Sequence, residues 1–219
     1  MKKIVFFVFL MLSMSILAQD KITEGIISMR ITMSSENEAI NKSLAMVGDL
    51  NPVTYFKGEK SRTELNNPMA GETISIVDNN TKEMVVLMNN PMMGKKYLKQ
   101  STKTSEEDLK GITVTAIGET KTVLGYVCKG YSITTKKEGV EVKMTMYTTD
   151  KITAPNKEIN AFGDKVKGFP MYLEMDVQSP VVMKTIAEVT EVKNENVADS
   201  KFIMTIPDGY EKMEMPNAK

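Results

Sequence analysis

The chain has 219 residues, 28 Lys+Arg against 28 Asp+Glu, no histidine and one cysteine. A near-neutral chain with interspersed charges has no electrostatic basis for binding nucleic acid. Without histidine it lacks the common general base, the Ser-His and Cys-His nucleophile pairs, and most zinc and iron sites.

The N-terminus carries Lys2 and Lys3, an apolar run from Ile4 to Leu12, Ser13–Leu17, and then the small residue Ala18. That is the layout of a secretory signal peptide, and it predicts removal of residues 1–18. Residues 19–219 are then a single β-rich domain, long enough for one sizeable core. The apolar run is shorter than the ~20 residues a membrane span needs, so no integral span is expected after signal removal. No cysteine lies near the cut to take a lipid anchor. This places the protein in the periplasm or outside the cell. Loss of Lys2 and Lys3 leaves 26 basic against 28 acidic residues, a net charge of −2. The one cysteine cannot form an internal disulfide. Cys128 therefore reads as a small buried hydrophobe.

Ile22–Ser34 alternates Ile27, Met29, Ile31 and Met33 with Ser28, Arg30 and Thr32, the period of a half-buried strand. Ser35–Leu50 then shifts to helical spacing, with Ile40, Leu44, Val47 and Leu50 on one face. Ser35 and Glu38 form a capping-box pattern, and Gly48 with Asn51-Pro52 closes the helix. Beyond Pro52 the chain reads as strands and turns. Val53–Lys57 and Ser61–Asn66 make one hairpin, Thr73–Asp78 and Glu83–Met88 a second, and Lys95–Gln100 follows. Ile112–Gly118 leads into Thr120–Ile133, which reads as strand, kink at Gly125, strand. Val140–Thr148 pairs with that stretch. Lys157–Phe162 is a short helix after Pro155. Phe169–Val177 and Val181–Val192 form a last hairpin across Ser179-Pro180, and Lys201–Ile206 ends in an extended tail. About ten or eleven strands without βαβ alternation predict a mainly β fold with a strongly curved antiparallel sheet or half-open barrel.

Methionine stands out in the composition, with 19 residues. Several fall at even offsets within strands, which places them on one strand face. Met144 and Met146 share a face with Val142, and Met171, Leu173, Met175 and Val177 share another. Three readings remain open. These faces are ordinary core, with methionine as a tolerated filler. Alternatively, some of them line a groove for an apolar ligand, because an unbranched thioether repacks around variable shapes. The third is thioether coordination of Cu(I), for which the sequence has no dense Met-x-x-Met cluster.

No glycine-rich phosphate loop or calcium loop is present. The Glu106-Glu107-Asp108 run reads as a solvated face. No metal, cofactor or enzymatic activity is expected.

Several stretches, taken in order, carry a resemblance: EGIISMRITM, YFKGEKSRTE, IVDNNTKEMVVL, TKTVLGYVCKGYSI, GFPMYLEMD and IPDGYEKM. Together they resemble the exported, Bacteroidetes-type family of the domain of unknown function 4412. The resemblance runs over nearly the whole chain after the signal segment and transfers no catalytic residue. It implies a likeness to the periplasmic lipoprotein-carrier and lipoprotein-receptor fold, a half-open antiparallel barrel with helices over its concave side. Ser35–Leu50 or Lys157–Phe162 would then cap the concavity. Unlike the carriers, this chain opens with a strand and has no evident basic landing patch.

The first functional expectation is an envelope protein that binds an apolar or lipid-like ligand in the concavity, with no chemistry of its own. The candidate lining is Met29, Ile31, Met33, Met144, Met146, Met171, Leu173 and Met175. The alternative is a cavity-free structural or interaction module whose partner is another envelope protein. A pocket of about 300–1,000 Å³ separates the first from the second.

Overall fold

The computed structural model describes residues 20–137, 140–177 and 181–213. The signal segment and the Ser179-Pro180 turn lie outside these residues. Twelve strands form one sheet in the order β12-β6-β5-β4-β3-β2-β1-β11-β10-β9-β8-β7. Its middle is β1 (Glu24–Ser35), which pairs with β2 (Val53–Lys57) on one side and β11 (Met183–Lys193) on the other. From β2 an antiparallel meander runs outward through β3 (Lys60–Asn67), β4 (Gly71–Asp78), β5 (Glu83–Asn90) and β6 (Gly94–Ser101). The chain then crosses to the far edge and returns through β7 (Ile112–Val123), β8 (Tyr126–Lys137), β9 (Val140–Thr149) and β10 (Phe169–Val177) to β11. β12 (Glu211–Lys212) is a two-residue parallel addition to β6.

The organising strand is therefore β1, and Thr120–Ile133 belongs to the edge hairpin. Gly125 does not kink a continuous strand. With Leu124 it makes the two-residue turn that joins β7 to β8, at φ 49° for Leu124 and 82° for Gly125. Positive φ at both central positions is the hairpin geometry that matches the strand twist. A leucine hides this turn from sequence, because Asn-Gly or Asp-Gly is its usual signal. The left-handed conformation costs a non-glycine residue about 1–2 kcal/mol, and Leu124 is exposed, so it has little packing to lose. Leu124→Asn is accordingly expected to raise unfolding stability by about 1 kcal/mol, read from a chemical denaturation midpoint. No gain, or a loss, would mean that Leu124 makes a stabilising contact. The irregularity within β7 lies earlier, between Ala116 and Thr120, with Gly118 at φ 70°. Gly130 sits across from it, where a Cβ would come within 2.7 Å of the Ile117 side chain and 3.0 Å of the Glu119 carbonyl oxygen.

Helix α1 (Glu38–Val47) follows β1. Its cap is Asn37, two residues after the expected Ser35. The Asn37 side chain accepts from the Ala39 and Ile40 amides at 2.9 and 3.3 Å. Ser35 instead donates its hydroxyl to the Val182 carbonyl at 2.6 Å, which ties the end of β1 to the start of β11. Gly48 closes the helix at φ 70°. Helix α2 (Lys157–Asn160) is one turn, capped by Asn156, and a 3-10 turn at Gly163–Lys165 follows it.

Apolar side chains pack on both faces of the sheet. On one face Ile74, Ile76, Val85 and Leu87 pack beneath Met204, Ile206 and Tyr210 of the C-terminal segment. Nearby, Glu64 receives Arg62 at 2.6 Å and Lys201 at 3.1 Å. Burial disfavours the Glu64 charge, but these two cations outweigh it and hold the carboxyl below its usual pKa. On the other face, Ile27 and Phe56 join a cluster that also holds Val123, Cys128, Met171, Val189, Ile152 and Ala154. Ile133, Met146, Phe162 and Val166 form a second. Residues 152–166, including α2, thus lie over this face, as expected for Lys157–Phe162. Several hydrogen bonds fasten the cover, among them Lys165 Nζ to the Ile112 carbonyl at 2.9 Å. Thr104 Oγ1 donates to the Asn160 carbonyl at 2.6 Å, and Asn160 Nδ2 donates to Asn79 Oδ1 at 3.1 Å.

Candidate functional site

A cavity of about 310 Å³ lies on the face that carries Ile27, Met29 and Ile31. Strand pairing builds its first wall. Ile31 pairs with Ala187, Ala187 with Leu173, and Leu173 with Met146, so β1, β11, β10 and β9 contribute one continuous apolar rung. Met29 lies beside it on β1, two residues from Ile31 and on the same face. The second wall comes from Thr54 of β2, Thr63 and Leu65 of β3, and Thr73 and Ser75 of β4. Pro52, Asn156, Phe169 and Pro170 complete the lining. Thr73 and Ser75 are six strands from Met146 in the sheet order, yet all three border one space. The sheet must therefore curve around that space, which identifies the concave face.

The two walls differ in chemistry. The first is thioether and hydrocarbon. The second is mainly hydroxyl, and Thr54 and Thr63 use part of their capacity on each other at 2.9 Å. The Asn156 oxygen is engaged as the α2 cap at 3.0 Å from the Ile159 amide. No lining residue carries a charge. The site therefore suits a neutral molecule with an apolar body and few polar groups. A buried ion would meet no countercharge in this lining, so much of its desolvation cost would go uncompensated.

The sequence-derived candidates divide according to register. Met29, Ile31, Met146 and Leu173 line the cavity. Met33, Met144 and Met175 lie on the next rung, where Met33 pairs with Thr185, Thr185 with Met175, and Met175 with Met144. These three are half-buried and do not border the cavity. Met171 falls at the irregularity in β10 between Pro170 and Tyr172 and is fully buried in the Phe56 cluster. The hydroxyl wall was missed, because Thr54, Thr63, Thr73 and Ser75 look like the solvent side of alternating strands. Cys128 is buried, and its thiol donates to the Tyr126 carbonyl at 3.4 Å. Burial pushes its pKa up, away from reactive thiolate.

Residues 23–210 match the family described as Domain of unknown function (DUF4412). No curated protein sequence matches the chain. Among solved structures the chain is similar to PNGF-II, solved in a C2 space group, with 14% identity and a TM-score of 0.48. That alignment covers 88% of this chain and 31% of PNGF-II, so the chain spans less than a third of that protein. It is similar to the Mycobacterium tuberculosis lipoprotein LppX, with 10% identity, a TM-score of 0.35, and coverage of 80% of this chain and 89% of that one. It is also similar to a LolA superfamily protein from Nitrosomonas europaea, with 8% identity, a TM-score of 0.39, and coverage of 85% and 91%.

Proposed function

The chain belongs to the family of the domain of unknown function (DUF4412), and from that premise we propose that it is an exported binding protein for a neutral, mainly apolar small molecule or lipid-like ligand. It holds the ligand in the concavity of the curved sheet and performs no chemistry on it. The observation that carries this reading is the uncharged cavity of about 310 Å³ along the Ile31–Ala187–Leu173–Met146 rung, a size within the range of small-molecule sites. The Ile31, Leu173 and Met146 side chains of that rung are each worth roughly 1.5–3 kcal/mol when removed from water, and Ala187 less. A wet cavity would forfeit part of that stabilisation, and an apolar ligand would recover it. The hydroxyls of Thr73 and Ser75 would orient a ligand carbonyl or hydroxyl at one end. The basic and apolar N-terminal segment supports export of the protein to the periplasm or beyond.

Titration of the purified protein with a neutral, polarity-sensitive fluorophore tests the reading. A saturable blue-shifted enhancement that hydrocarbon-chain competitors displace is expected. No saturable response to any neutral apolar probe would contradict it.

A further inference from the structure

Exposed large apolar side chains sort by chemistry in this protein. Among the described residues, four of them are hydrocarbon: Leu124, Val127, Val182 and Ile203. The others are all thioethers: Met46 at 63%, Met69 at 58%, Met92 at 89% and Met93 at 60% exposure. Those four belong to neighbouring segments at one end of the sheet. The turn between β3 and β4 has the sequence Asn66-Asn67-Pro68-Met69-Ala70-Gly71, and the turn between β5 and β6 has Asn89-Asn90-Pro91-Met92-Met93-Gly94. The two are built alike. Asn67 Oδ1 accepts from the Met69 and Ala70 amides, both at 2.9 Å. Asn90 Oδ1 accepts from the Met92 and Met93 amides at 2.8 and 3.0 Å.

The segments are also clamped together. Asn90 Nδ2 donates to the Ala70 carbonyl at 2.9 Å, and Asn67 Nδ2 donates to the Val47 carbonyl at the end of α1 at 3.2 Å. Every clamp lies next to an exposed methionine. The turns approach so closely that a Cβ on Gly71 would stand 3.0 Å from Pro91 Cδ and 2.0 Å from the Asn89 carbonyl oxygen. The sequence spreads these methionines from position 46 to position 93, which is why it shows no dense cluster. Strand pairing brings the two turns side by side, and the Asn67 clamp adds the end of α1.

We propose that this end of the sheet is a binding site for a soft monovalent cation, Cu(I) or Ag(I), held by the thioethers of Met69, Met92 and Met93 with Met46 beside them. Soft sulfur ligands select such ions over hard cations. A docking surface for an apolar partner would draw on aromatic residues as well as methionine, and among the described residues the exposed large apolar side chains at this end are all thioethers. Thioethers bind without losing a proton, so uptake should not change across neutral pH.

The test uses the full chain labelled with ¹³C at the methionine methyl groups and titrated with Ag(I) in chloride-free buffer. The methyl signals that vanish individually in Met69→Leu, Met92→Leu and Met93→Leu are expected to shift saturably. The triple leucine variant, which keeps the apolar surface and removes the sulfur, should lose this uptake while its unfolding midpoint stays unchanged. Shifts confined to other methionines, or wild-type affinity in the triple variant, would overturn the assignment. Complete absence of methyl shifts would also overturn it, and would leave this end as an apolar docking surface.

Discussion

Phe56→Ala is expected to remove about 3–5 kcal/mol of unfolding stability, the range for truncating a large buried aromatic. Phe56 is fully buried, and its cluster joins residues from β1, β2, β7, β8, β10 and β11 with Ile152 and Ala154 of the covering segment. The cluster therefore holds the centre of the sheet, the edge hairpin and the cover to one another. Most of the cluster around Phe56 is fixed in strand registers, so a cavity left there has little freedom to collapse. Against a total stability of about 5–15 kcal/mol, such a loss takes a large share. The urea midpoint measures it. A loss below about 1 kcal/mol would mean that the cluster closes over the gap and does not bind the parts of the fold together.

The second large effect is on binding. Ala187 is buried at the middle of the apolar rung, between Ile31 and Leu173, and borders the cavity. Ala187→Phe would project a ring into that space and take up much of its volume. Fluorophore affinity is expected to fall at least about tenfold, which is about 1.4 kcal/mol. The fold should be kept, because the added atoms enter a void and need not displace packed neighbours. Ala187→Leu should have an intermediate effect. Undiminished binding in a folded Ala187→Phe protein would place the ligand outside this cavity. The same reasoning separates Met146 from its neighbours. Met146 borders the cavity but is fully buried, and it packs with Ile133, Phe162 and Val166. Replacing it with lysine would report on folding before binding.

Local signals carried much of the fold. Alternation in β1 and turn residues between β2, β3, β4 and β5 place those strands to within a residue or two of their observed bounds. Helix α1 was legible from spacing, although Asn37 takes the cap that a Ser35–Glu38 box would predict. Two neighbouring side chains could each have capped that helix, and strand pairing decided between them by engaging the Ser35 hydroxyl with Val182. The Leu124-Gly125 turn was misread as a kink because its first residue lacks the usual chemistry for positive φ. β12 was not visible, since two residues are too few for any period.

The candidate site was legible by halves. Parity along a strand shows which residues share a face, and so groups Met144 with Met146 and Leu173 with Met175. It does not show which strands meet, nor how far the sheet curves. Those follow from the pairing of β1 with β11, which are about 150 residues apart in the chain. The hydroxyl wall of β2–β4 becomes interior only once that curvature exists.

The most direct test of the central claim is mass spectrometry of the organic extract of the protein, purified without detergent from the periplasm of an expressing cell. The account predicts a neutral, mainly apolar compound in near-stoichiometric amount, and its loss from the Ala187→Phe variant. A clean, empty and stable wild-type protein that also takes up no neutral apolar probe would contradict it.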